Sequence, residues 1–356
     1  MRFDTPKPGP AVNRSRRRLL AALPLVPAIV VSACTPEQAP PTNPTPRQSA
    51  IPGEGSGSAP GSASPGGSES APASVTPSNN LDAIKVEGEP NTEPKVTVPA
   101  PWAIDETRTK VLSPGNGATI KPKAPVTMQY YGVNGRSGEM FDASWTRGQP
   151  ATFSLDGVIA GFSKGLEGQQ AGSRVLIAMP GEDGYDASGG QPPQILVGDT
   201  LIFVVDILST VLEGPEGEPV APVAGLPTVA DKDGVPTITI PDGEPPAELK
   251  IQPLIKGAGA EVTEADSVYL NYRGVLWADG KVVDDNYEAE PEQTPLGDTL
   301  IEGFRTGIIG QTVGSRMLLV IPPAQGYPEG NETPPVPKGA TLVYVVDILF
   351  TQTPPQ

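Results

Sequence analysis

The side chains able to do chemistry come as a set that occurs twice, 142 positions apart. Tyr130, Asp142, the Gly161–Phe162 pair and Tyr185 recur as Tyr272, Asp284, Gly303–Phe304 and Tyr327. Gly172-Ser173-Arg174 returns as Gly314-Ser315-Arg316. After one deleted residue, T-L-I-F-V-V-D-I-L (200–208) is answered by T-L-V-Y-V-V-D-I-L (341–349). Self-similarity at fixed spacing marks a duplicated structural unit. What the set lacks narrows its chemistry. The 356 residues include no histidine and a single cysteine, Cys34. Ser-His-Asp and Cys-His arrangements and the usual zinc sites are thereby excluded.

Two further constellations carry less. Glu182-Asp183 are adjacent carboxylates, which seldom converge on one point, so a solvated loop is the simpler reading. Asp231-Lys-Asp-Gly234 is a fragment of a calcium-loop pattern without its remaining ligands and reads as a turn. No metal and no cofactor is expected. The net charge of −16 disfavours phosphate backbones and anionic headgroups as partners, so no nucleic acid is expected.

The elements that must position the set are mostly strands. Val126-Thr-Met-Gln-Tyr-Tyr131 alternates and is expected to end at Gly132, and Ala151–Leu155 alternates again. Val175–Met179 and Leu201–Leu208 are β-branched runs between Gly and Pro. One short helix is predicted from about Ile159 to Glu167, with Ile159, Phe162 and Leu166 on the face toward a sheet. A small antiparallel sheet with one helix on its face is an α+β domain, here in two copies. The preceding segments 81–107 and 222–249 also repeat, and Val96-Thr-Val98 and Thr237–Ile240 predict an extra strand or hairpin attached to each domain.

The ordered set strand, F-D, strand, V-I-x-G-F-x-x-G-L, G-S-R strand, P-x-x-x-x-Y loop, T-L-x-F-x-V-x-I-L strand resembles the FKBP-type peptidyl-prolyl isomerases. The resemblance covers about 108–211 and again 250–351. It implies a curved five-stranded antiparallel sheet wrapped round the short helix, with an apolar pocket between them. In the first copy it implies Val158 and Ile159 as the pocket floor, with the Ile159 N–H donating to a substrate carbonyl. Phe162 would form the base, and Tyr130, Phe141, Phe153 and Phe203 the aromatic walls. Asp142 would sit at the rim, Tyr185 would offer its hydroxyl, and Ile195 or Leu196 would close one side. Ala151 stands where the family often has phenylalanine, which should widen the site or weaken its grip on proline.

In the second copy Tyr272, Asp284, Leu300-Ile301, Phe304, Tyr327, Val336 and Tyr344 occupy matching places. Phe141 has become Val283, and the strand around Phe153 is replaced by Glu292-Gln-Thr-Pro-Leu296, with no aromatic. Two walls are thinned there, and activity of this copy is left open.

The resemblance also names a reaction that fits the composition. Turning an X-Pro bond means crossing about 18–20 kcal/mol of amide resonance, and needs no nucleophile or metal. The expected activity is peptidyl-prolyl cis-trans isomerisation (EC 5.2.1.8) on proline-containing unfolded or exported polypeptides, carried mainly by the first copy. Two other readings stay open: a non-catalytic chaperone or proline-peptide binder, and a purely structural spacer.

The N-terminal part reads as an address. Arg14 and Arg16–Arg18 precede an apolar stretch, 19–33, that is shorter than the roughly 20 residues of a spanning helix and holds Pro24 and Pro27. Val31-Ser-Ala-Cys34 resembles a bacterial lipobox, which implies diacylation of Cys34 as a lipid anchor and its exposure as the mature N-terminus. Ser15–Leu20 resembles a twin-arginine export signal, and the general secretory route stays equally open. Residues 1–33 carry six Arg or Lys and one Asp, so their removal takes the net charge from −16 to −21. Residues 34–80 are rich in Pro, Ser, Gly, Ala and Thr and read as a flexible tether. The expected organisation is 1–33 signal peptide, 34–80 tether, 81–212 first domain and 213–356 second domain. It describes a monomeric lipoprotein held extracytoplasmically on the cell membrane.

Overall fold

The computed structural model describes residues 75–353. Cys34, the signal segment and most of the 34–80 tract lie outside the described residues. The end of that tract is joined to the first domain: the Ser78 N–H donates to Ala103 O at 2.8 Å, and the Asn80 side chain caps a 3-10 turn at Leu81–Ala83.

The first repeat contains β1 (Lys85–Glu87), β2 (Lys95–Thr97), β3 (Arg108–Ser113), β4 (Pro125–Asn134), β5 (Met140–Ala143), β6 (Ala151–Ser154), α1 (Ala160–Leu166), β7 (Arg174–Met179) and β8 (Leu201–Thr210). Its main sheet is antiparallel, in the order β3-β7-β8-β4-β5, and β6 also pairs with β4. The expected five strands are therefore six. The chain leaves the β4 edge after Ala143 and returns at Ala151, so β5 and β6 share one edge place end to end. Strand β4 also runs through Gly132 rather than ending there. A Cβ at Gly132 would lie 2.8 Å from both the Phe141 and Phe203 rings, so this glycine marks a close approach inside a strand and not a strand end.

Helix α1 has seven residues, too few to persist without packing. Gly161 and Gly165 lie four apart, on the face toward β7. A Cβ at Gly161 would fall 2.2 Å from the Met179 sulfur, and one at Gly165 would fall 2.7 Å from Ile177. The two glycines let the helix backbone rest on the strand. The same device recurs in the second repeat, where Gly303 and Gly307 face Ile321 and Leu319. With Leu166, Met128, Ile177 and Val205 this inner face forms one core.

The outer face of the sheet is covered too. Strand β7 is buried at all six positions, which accounts for its unbroken apolar run. The predicted hairpin exists as β1–β2, and Ile84, Val98, Trp102 and Ile104 pack with Leu176, Ala178, Ile202 and Val204. An ion pair binds the two layers. Arg174 donates from Nε to Asp206 Oδ1 and from Nη2 to Oδ2, both at 2.6 Å. Its remaining donors reach Gly88 O and Thr92 O, while the Asn91 N–H donates to Asp206.

The second repeat contains β9 (Glu218–Pro219), β10 (Thr228–Lys232), β11 (Val235–Thr239), β12 (Lys250–Lys256), β13 (Ser267–Leu276), β14 (Val282–Asp285), β15 (Glu292–Pro295), α2 (Glu302–Ile308), β16 (Arg316–Ile321) and β17 (Leu342–Gln352). The sheet runs β14-β13-β17-β16-β12-β9, with β15 also on β13, and β9 makes it one strand larger than in the first repeat. Hairpin β10–β11 takes the place of β1–β2, and Arg316 pairs with Asp347 as Arg174 does with Asp206. Among the described residues no helix is long and apolar enough to cross a membrane.

Candidate functional site

In the first domain, β4 brings Tyr130 to the inner face, β5 brings Phe141 and Asp142, β6 brings Phe153, α1 brings Phe162 and β8 brings Phe203. Five rings meet. Phe162 and Phe203 lie 4.6 Å apart between centroids, Phe141 and Phe203 5.4 Å, and Tyr130 stands 6.1–6.4 Å from Phe153, Phe162 and Phe203. These are edge or tilted contacts within the range of favourable aromatic pairs. Phe162 is half-buried and Phe153 is exposed, so the cluster presents ring surface to solvent at its mouth.

Val158 and Ile159 lie at the start of α1 and pack partly buried against the core. Ile159 is the helix N-cap, and its own N–H has no acceptor among the described residues. Ile195 is buried in the core and Leu196 is exposed, so of that pair Ile195 packs beside the rings.

The polar groups gather at one edge. The Tyr130 hydroxyl donates to Asp142 Oδ2 at 2.7 Å. Burial, and then this bond to a carboxylate, push the Tyr130 phenol up to about 12, so it remains a protonated donor at neutral pH. Tyr185 packs partly buried near them, and its phenol is raised by burial and by the Asp142 charge.

Arg147 was not anticipated from the sequence. From the 3-10 turn between β5 and β6 its Nη1 donates to Asp142 Oδ1 at 2.8 Å, and its Nη2 donates to the Tyr130 hydroxyl. The guanidinium stands 5.3 Å over the Tyr130 ring, a cation–π contact. Five residues after Asp142 in a connecting loop, it has no periodicity to reveal it.

In the second domain Tyr272, Phe304 and Tyr344 form the corresponding cluster, with Phe304 and Tyr344 5.2 Å apart. With Ile301, Tyr327, Asp284 and Glu292 they line a cavity of about 100 Å³. Val283 packs at the edge where Phe141 sits in the first copy. Strand β15 sets Glu292 opposite Leu270 and Thr294 opposite Val268, the places of Ala151 and Phe153 in the first copy. The sequence shows the lost aromatic; only the register shows that a carboxylate takes the alanine's place. The hydrogen bonds are redistributed. The Tyr272 hydroxyl donates to Glu292 Oε2 at 2.8 Å, and the Tyr344 hydroxyl donates to Asp284 Oδ2 at 3.3 Å.

Comparisons with known proteins identify the family of the two repeats. The family model described as FKBP-type peptidyl-prolyl cis-trans isomerase matches residues 117–208 and 259–349, just over half of the chain. A probable FK506-binding protein of Corynebacterium glutamicum is 36% identical over 117 residues, covering 33% of this chain and 98% of the relative. An FK506-binding protein of Streptomyces anulatus is 34% identical over 119 residues, covering 33% of this chain and 96% of the relative. The FKBP-type peptidyl-prolyl cis-trans isomerase FkpA of Escherichia coli is 37% identical over 101 residues, 28% of this chain and 36% of that protein. With two matched repeats and two relatives covered almost end to end, this chain belongs to the FKBP-type peptidyl-prolyl cis-trans isomerase family.

Proposed function

We propose that the first domain is the principal isomerase of this chain and that it acts on proline-containing segments of exported polypeptides. The observation that carries this is the five-ring cluster beside an Asp142–Tyr130–Arg147 network and an unengaged Ile159 N–H. Rotation about an X-Pro bond loses amide resonance, so the transition state has a twisted carbonyl and a nitrogen without partial double bond. Rings enclosing the proline exclude water, and the Ile159 N–H donates to a carbonyl of the bound chain. Asp142, held by Tyr130 and Arg147, gives the rim a fixed polar group. Such fixed groups act by preorganisation, since they need no reorientation as the bond turns. The second domain, with Val283 and Thr294 in place of two aromatics, serves as the weaker, substrate-holding site.

The test is protease-free isomerisation of a short Xaa-Pro-Phe peptide by the full chain. Turnover is expected, and Asp142→Val is expected to lower it about tenfold, a loss of about 1.4 kcal/mol in the transition state. Its thermal midpoint should barely move, because the Asp142–Arg147 pair is half-exposed and such pairs contribute about 0–1 kcal/mol. A folded chain without turnover would instead favour a proline-peptide binding protein that holds its clients unturned.

The setting proposed for this activity is the extracytoplasmic face of a cell membrane, with Cys34 as the acylated anchor and 34–80 as the spacer. The support is the arginine-led apolar stretch ending in Val31-Ser-Ala-Cys34. Each buried acyl methylene contributes about 0.8 kcal/mol to membrane residence. Cys34→Ala is expected to move the protein from the membrane fraction to the soluble one. Unchanged sedimentation with membranes would overturn the anchor.

A further inference from the structure

The second domain's site differs from the first in charge as well as in shape. In the first, Asp142 is paired with Arg147. In the second, the place of Arg147 in the repeat is taken by Ala289, and Asp284 and Glu292 face one cavity together. Their hydrogen-bond donors are neutral phenols, Tyr344 for Asp284 and Tyr272 for Glu292. Among the described residues neither carboxylate has an ion-pair partner. Three cations on neighbouring elements are engaged elsewhere: Arg273 with Asp285, Arg305 with Asp298 and Lys338 with Glu329. Burial above all, and the Glu292 charge to a lesser degree, raise the Asp284 carboxyl despite its bond from Tyr344.

The cavity, walled by Tyr272, Phe304 and Tyr344, is the site, and the two carboxylates decide what enters it. A metal ion is a poor fit, since no group of three or more metal-ligating side chains exists among the described residues. A proline ring suits the aromatic walls, and a lysine or arginine side chain next to it suits the two carboxylates.

We propose that the pocket of the second domain selects proline segments that carry lysine or arginine beside the proline, with Asp284 and Glu292 as the specificity-determining pair. This rests on the reading of that pocket as a proline-binding site. The origin of the difference is local: the β13–β15 register sets Glu292 where the first copy has the Ala151 methyl.

The experiment follows the tyrosine ring signals of the full chain by NMR during titration with acetyl-Ala-Lys-Pro-Phe-amide and with its Glu-Pro counterpart. Tyr272, Tyr327 and Tyr344 report on the second site, Tyr130 and Tyr185 on the first. At the second site the Lys-Pro peptide is expected to bind about tenfold more tightly than the Glu-Pro peptide. Raising the salt from about 0.1 M to about 1 M, which shortens the screening length from about 10 Å to about 3 Å, should bring the two toward parity. Glu292→Gln keeps an acceptor for Tyr272 and should lower the preference several-fold. Equal binding of the two peptides at the second site, or a preference that Glu292→Gln leaves untouched, overturns the charge selection while leaving the proline pocket standing. If first-site tyrosines respond and second-site tyrosines stay silent with both peptides, the proline-pocket reading of the second domain falls, and the selection with it.

Discussion

Arg174→Leu is expected to destabilise the first domain by about 3–5 kcal/mol, the usual cost of leaving one member of a buried ion pair without its partner. The Arg174 and Asp206 side chains are only 3% and 4% exposed, so water cannot replace the lost donors. The change also strips acceptors' partners from Gly88 O and Thr92 O, which hold hairpin β1–β2 to the sheet. Denaturant unfolding of the full chain measures this as a lower midpoint for the first domain's transition. The double variant Arg174→Leu with Asp206→Leu should recover part of the loss, because removing both charges leaves neither buried alone. Only the hairpin's own unpaired groups would then count against it, at about 1–3 kcal/mol each if they stay dry. A single variant that costs less than about 1 kcal/mol would show that the hairpin detaches readily and water reaches Asp206.

Phe162→Ala should have the largest effect on activity. Its ring is half-buried, 4.6 Å from Phe203 and 6.4 Å from Tyr130, and on the proposed reading it offers a bound proline apolar surface while resting on the core. Full burial of a side chain of this size is associated with about 1.5–3 kcal/mol, and losing that contact in the transition state lowers kcat/KM about 10- to 100-fold. Phe304→Ala is the informative partner. Phe304 is 6% exposed, so its truncation should chiefly cost the second domain about 3–5 kcal/mol of stability. Turnover should hardly change if the first domain carries the reaction. Should Phe304→Ala abolish turnover and Phe162→Ala spare it, the roles assigned to the two domains would be reversed.

The contrast between the domains comes from a few positions on one scaffold. Both have the glycine pair that seats the helix, the buried arginine–aspartate clamp and the covering hairpin. They part at Phe141 and Val283, at Ala151 and Glu292, at Phe203 and Tyr344, and at Arg147, which has no basic counterpart. Each of these faces the ring cluster or its rim. Duplication preserved what holds the domain together, and the divergence lies where a ligand would be met.

Much of this is legible in the sequence. The 142-residue repeat gave two domains, alternation and β-branched apolar runs gave the main strands, and Ile159–Glu167 gave the helix to within its two cap residues. The absence of histidine removed whole classes of reaction. These properties are encoded locally, in side-chain type and in the 2.0 and 3.6 residue periods. The strand does not end at Gly132: glycine serves turns and close contacts alike, and only the rings pressing on it tell which. Arg147 over Tyr130, Glu292 in the place of an alanine, and Arg174 reaching back 86 positions to Gly88 depend on which strands pair and in what register. A linear pattern says which face a residue takes on its own strand. What stands opposite it is decided by long-range pairing and the packing of one layer on another, and that is a property of the tertiary structure alone.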